Sequence, residues 1–144
     1  MKNVKFVYLY RDGANYKSWN DVVFTNPDHL TSEEIQEKLL SAFLPDKLFI
    51  AHQIFVPEQF LFLAGEFTQF DHCYHEFHAI EIVEEESTDS LNRSIKDFLK
   101  DVEQISRQGW KEFDILERVW EHELKFPEKV AAKAKRMLNK SAGR

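Results

Sequence analysis

The chain has 144 residues and a net charge of −6, with 43% apolar and 31% charged residues, which sets the expectation of one soluble globular domain. A single cysteine excludes an internal disulfide and fits a reducing cytosol, and no apolar run approaches the ~18 residues that a membrane span needs. The opening MKNVKFVYLYRD lacks an apolar signal region and a cleavage site, so a cytoplasmic protein that does not engage a membrane is expected.

Residues 4–10, VKFVYLY, are β-branched and aromatic, with Val4, Phe6, Tyr8 and Tyr10 on one face and Val7 and Leu9 on the other. Apolar residues on both faces predict a central strand. Asp12-Gly13 signals a turn, and residues 19–24 fit the return strand of a hairpin. Residues 31–44 read as a helix: Thr31 caps it, Glu34 completes a capping box, and Leu30 with Ile35 makes a hydrophobic staple. Pro45 ends it.

Residues 47–56, KLFIAHQIFV, read as a further strand stopped by Pro57. FLFL at 60–63 is a short apolar element whose period does not type it, and 64–70 is a loop or a short strand. Residues 74–83 alternate as a strand with Phe77, Ala79 and Val83 on one face. Residues 90–108 carry one apolar stripe through Leu91, Ile95, Phe98, Leu99, Val102 and Ile105, and Gly109 caps that helix. Asp114 opens another helix, and Pro127 opens a last one with a thin stripe through Val130, Ala134 and Leu138. The fold class expected is therefore α+β: an antiparallel sheet of about four to five strands with helices packed on one face. It covers residues 1–124, with a basic helical C-terminal extension over 125–144.

Charge is divided unevenly. Within 125–144, seven Lys and Arg face Glu128 alone, giving +6 and leaving −12 for the rest of the chain. A basic tail suits nucleic acid, whereas an acidic body repels it. The usual glycine-rich phosphate cradles and the nucleophile elbow are absent from the sequence.

Two stretches concentrate chemistry. The first is RDGANYKSWN after the first strand. Tyr10, Arg11, Asp12, Asn15, Tyr16, Lys17 and Trp19 offer a guanidinium, an amide, an ammonium and stacking rings, an inventory suited to a protein partner, a nucleotide or an anion. The second is DHCYHEFH at 71–78. Asp71, His72, His75, Glu76 and His78, with His52 as an extra ligand, could hold a divalent metal. On a straight strand, however, His72 and His78 lie about 20 Å apart. Such a site needs a turn or a neighbouring strand, and the alternative is a partly buried strand whose histidines bond to neighbours. Cys73 beside His72 or His75 would need the same turn to act as a nucleophile.

The stretch YLYRDGANYKSWNDVVF, with LTSEEIQEKLL after it and DHCYHEF later, resembles a family of small uncharacterised bacterial proteins sharing Tyr-Arg-Asp-x-x-Asn-Tyr-Lys and a later Asp-His…His-Glu-Phe box. The resemblance covers residues 5–110 and implies no activity. It points to Tyr10, Arg11, Asp12, Asn15, Tyr16 and Lys17, and to Asp71, His75, Glu76 and Phe77.

The expected function is a non-enzymatic protein-interaction or regulatory module with a protein partner. A small metal-dependent hydrolase or nuclease using the 71–78 cluster, and nucleic-acid binding through the basic C-terminal helix, are the alternatives. If the hairpin and the 74–83 strand are neighbours, Arg11 or Lys17 can reach Asp71 or Glu76, and His75 can reach Tyr10 or Tyr16. An ion pair would then account for the polar density of the loop without any ligand.

Overall fold

The computed structural model describes residues 2–63, 65 and 67–125, the last four as backbone alone. The last expected helix, and the basic extension beyond residue 125, lie outside the described residues. Among the described residues four strands form one antiparallel sheet in the order β2-β1-β4-β3: β1 (Asn3–Arg11), β2 (Lys17–Phe24), β3 (Leu48–Phe49) and β4 (His75–Val83). β1 lies between β2 and β4, as its two apolar faces predict. Among the described residues three helices complete the α+β fold: α1 (Ser32–Ala42), α2 (Ile95–Gln108) and α3 (Ile115–Lys125). None of the described helices is long and apolar enough to cross a membrane.

The helices pack on one sheet face. Val4, Phe6 and Tyr8 of β1, Val22 and Phe24 of β2, and Phe77 of β4 meet Ile35 and Leu39 of α1 and Phe98, Leu99 and Val102 of α2. The abundant phenylalanines form stacked pairs here, Phe6 on Phe77 at 5.6 Å and Phe24 on Phe98 at 4.3 Å. A second, smaller cluster joins Tyr10, Phe60 and Phe62 to Ile115 and Val119 of α3. Arg118 fastens α3 further, donating through Nε to Glu58 Oε1 at 2.8 Å and lying 4.6 Å from the Phe113 ring centre.

Local rules hold at α1. Thr31 accepts from the Glu34 N–H, the Glu34 carboxylate accepts from the Thr31 N–H, and Leu30 packs against the core beside Ile35. Gly109 closes α2 at φ 97°, its N–H bonded to the Ile105 carbonyl.

Three expectations need correction. The 47–56 strand is only Leu48 and Phe49. The chain then turns through a short 3₁₀ segment, Ala51–Ile54, and Phe55 takes the left-handed conformation at φ 57°. Phe49, Ile50, Ala51, Ile54 and Val56 are the buried residues of that stretch, a spacing that does not alternate as a strand would. Helix α2 begins at Ile95 rather than residue 90. Ser94 caps it by accepting from the Asp97 N–H, Asn92 is left-handed, and Leu91 lies outside the core and exposed. The third correction concerns β4. Tyr8 pairs with Phe77 but Val7 pairs with Ala79, so His78 is an extra residue, a β-bulge. The alternation flips there, and it is Ile80, not Ala79, that follows Phe77 into the core.

Candidate functional site

The hairpin end of β1 and β2 meets the start of β4. Antiparallel pairing brings Leu9 opposite Glu76, which sets Arg11 and Glu76 on the sheet face away from the helices. Arg11 grips the carboxylate with two parallel bonds, Nε to Oε1 and Nη2 to Oε2, each 3.1 Å, and its Nη1 donates to Asn15 Oδ1 at 2.7 Å. Fork-to-carboxylate geometry of this kind fixes orientation as well as charge. The two expected stretches are therefore joined by an ion pair.

The loop between β1 and β2 is held from within. Asp12 Oδ1 accepts from the N–H groups of Ala14 and Tyr16, both at 2.9 Å, an Asx-type turn. Asn15 adopts φ 72°, a conformation that asparagine tolerates. Gly13 donates its N–H to the Phe70 carbonyl at 2.9 Å, and a Cβ at position 13 would stand 3.4 Å from the Phe70 Cβ and ring.

On the helix-side face, Tyr10 is fully buried and its hydroxyl donates to Asp71 Oδ1 while accepting from the His72 N–H. Burial, reinforced by the Asp71 bond, pushes that hydroxyl well above the ordinary tyrosine range. Asp71 also accepts from the Thr68 N–H. His72 Nδ1 accepts from the Tyr74 N–H at 3.0 Å, so Nε2 carries the proton and donates to the Arg11 carbonyl at 2.7 Å. His75 is 1% exposed, and its ring centre lies within 6.1 Å of those of Tyr8, Tyr10, Phe49 and Phe60. Its Nε2 accepts from the Gln59 N–H at 2.8 Å, so its proton sits on Nδ1, which has no hydrogen-bond partner among the described residues. Burial, and then nearby His72, lower its pKa to about 3.

The remaining candidates are scattered. His78, on the bulge, faces away from the helices and meets Trp19 edge-on at 4.8 Å. His52 lies against Phe113 with Nδ1 3.8 Å from Glu58 Oε2, and burial followed by Arg118 lowers its pKa. Among the described residues no three His, Cys, Asp or Glu side chains converge as a metal-holding group. Cys73 is buried, and burial pushes its thiol up, away from the thiolate a nucleophile requires.

Of the seven loop residues, Tyr10, Arg11, Asp12 and Asn15 are thus occupied internally. Tyr16, Lys17 and Trp19 remain outward, with Tyr16 70% and Trp19 50% exposed. Phe70, which carries the Gly13 contact, adds a further exposed ring. The sequence reading overlooked Phe70, and also the buried pair of Asp89 and Arg93, whose four-residue spacing was the available signal. Arg93 donates to both Asp89 oxygens, to Asp101 and to the carbonyls of Ile54 and Phe55, and lies over the Phe24 and Phe98 rings. It locks the start of α2 to the 51–55 turn.

The fold and this hairpin define a small two-layer α+β protein with one sheet face free of helices among the described residues. Comparison with known protein families, with curated proteins and with solved structures finds no match.

Proposed function

We propose that this protein is a non-enzymatic interaction module that docks a protein partner on its helix-free sheet face, centred on Trp19. The observation that carries the reading is the half-exposed Trp19, standing in register with fully buried Leu9 and against His78. Around it runs a charged rim of Lys5, the Arg11–Glu76 pair, Lys17, Asp21 and Glu81. An aromatic anchor inside a polar rim is the anatomy of an interface hot spot. The internally bonded loop lowers the entropy that binding must overcome, because Tyr16 and Lys17 are presented on a braced turn. The full chain and its Trp19→Ala variant, immobilised and exposed to lysate of expressing cells, test this reading. A stoichiometric protein retained by the former and reduced tenfold or more by the substitution, about 1.4 kcal/mol, supports it. Equal retention, or none, removes the reading.

A further inference from the structure

We infer that β2 pairs with β2 of a second copy of this chain, antiparallel about a two-fold axis at Trp19, to join two sheets into one. The inference rests on the hairpin being an interaction element and names a partner for it. β2 is an edge strand, and its outward hydrogen-bonding groups can be assigned. Val23 turns its N–H and carbonyl away from β1, to the Thr88 hydroxyl at 2.8 Å and the Thr88 N–H at 2.9 Å. The β1–β2 register is unbroken, so the outward groups recur at every second residue, at Asp21, Trp19 and Lys17. Among the described residues no backbone partner meets those outward groups. The chain thus covers its own edge at Val23 and leaves it open from 17 to 21.

The open edge is self-complementary. With Trp19 opposite the partner subunit's Trp19, Lys17 stands opposite the partner subunit's Asp21 and Asp21 opposite the partner subunit's Lys17. All three pairs exchange two backbone hydrogen bonds each, the arrangement of directly opposed residues in an antiparallel ladder. Lys17, Trp19 and Asp21 share one face, so two opposite-charge pairs flank an aromatic pair, combinations that stabilise cross-strand contacts. Within its own chain, among the described residues, neither Lys17 nor Asp21 makes an ion pair. Neighbouring registers fail on the same geometry. An axis at residue 18 sets Lys17 against Trp19 and wastes Asp21 on the loop, and an axis at residue 20 directs Lys17 to Val23, whose groups are taken. The pairing ends where it should, because residue 23 would need residue 15, which has already turned at φ 72°.

Sedimentation velocity of the full chain over a wide concentration range tests the pairing, with Lys17→Asp and Asp21→Lys as variants at exposed positions. The wild type is expected to dimerise, and each variant to weaken dimerisation about tenfold or more by setting like charges opposite one another. A one-to-one mixture of the two variants restores association, because each cross-strand pair is then again of opposite sign. Circular dichroism on each variant controls for folding. A wild type that is monomeric throughout, variants that dimerise like the wild type, or a mixture that stays monomeric each overturns the inference. A monomeric wild type that still captures another protein through Trp19 overturns self-pairing and leaves the docking function standing. A charge-dependent dimer that captures nothing else does the reverse.

Discussion

Arg11 and Glu76, 65 positions apart in sequence, are bound by two parallel hydrogen bonds of 3.1 Å that tie the hairpin end to the start of β4. The Arg11 side chain is 37% and the Glu76 side chain 25% exposed, so solvent weakens their attraction. In denaturant melts of Arg11→Ala, Glu76→Ala and the double variant, the coupling is expected to be about 0.5–1 kcal/mol. Losses that add without a remainder would mean that the pair contributes orientation only.

His75 gives the fold a pH dependence. Its folded pKa of about 3 lies below the ~6.5 of the unfolded chain, so between those values the unfolded state binds the extra proton. Stability is complete above about 6.5 and falls as pH drops toward 3, with a slope of up to about 1.4 kcal/mol per unit from this one group. His75→Phe is expected to flatten that part of the curve, even though the Gln59 N–H loses its acceptor and overall stability drops. Chemical denaturation of both proteins at several pH values reads the difference in slope.

The Asp89–Arg93 pair is a brace whose halves depend on each other. Burial pushes the Asp89 carboxyl up, but Arg93 outweighs it and holds that carboxyl below its usual range. Arg93→Ala leaves a buried carboxylate uncompensated and frees two carbonyls of the 51–55 turn, so a loss of about 3–5 kcal/mol is expected. Arg93→Ala with Asp89→Ala together should cost less than Arg93→Ala alone, as thermal or denaturant unfolding would reveal.

Aromatic position, rather than aromatic identity, decides the effect of truncation. Phe98→Ala opens a cavity beneath Phe6 and Phe24 and is expected to cost about 3–5 kcal/mol. Trp19→Ala, at a half-exposed position, is expected to cost about 1 kcal/mol or less while it reduces partner capture tenfold or more. Equal destabilisation by the two would reassign Trp19 to the core.

The contrast between what was and was not legible in the sequence follows the range of the interactions. The Thr31–Glu34 box and the Gly109 cap depend on residues within a few positions, and both are present as read. The two apolar faces of 4–10 marked a central strand because burial on both sides leaves a local trace. Residues 49–54 defeated the reading because a short apolar run satisfies either period until the core selects one. The bulge at His78 has no sequence mark and reverses every later side chain of β4. In the hairpin loop the residue types were legible but not their roles. An Arg11 pairing with Glu76 was among the partners expected for the loop, but Asp12 and Asn15 looked available for a ligand, whereas the loop backbone and Arg11 already hold them.

The position of β1 between two strands of very different sequence distance also governs how the chain is born. β2 follows β1 after a short loop, but β4 begins at His75, some fifty residues beyond the end of β2. At typical synthesis speeds of about 5–20 residues per second, roughly 3–10 s pass between those events. Throughout that interval the nascent hairpin carries Val4, Phe6 and Tyr8 with at most α1, and neither α2 nor β4, to cover them. A polypeptide emerging from the ribosome in this order offers an unfinished sheet to whatever binds first, and correct assembly turns on β4 arriving before a stranger does.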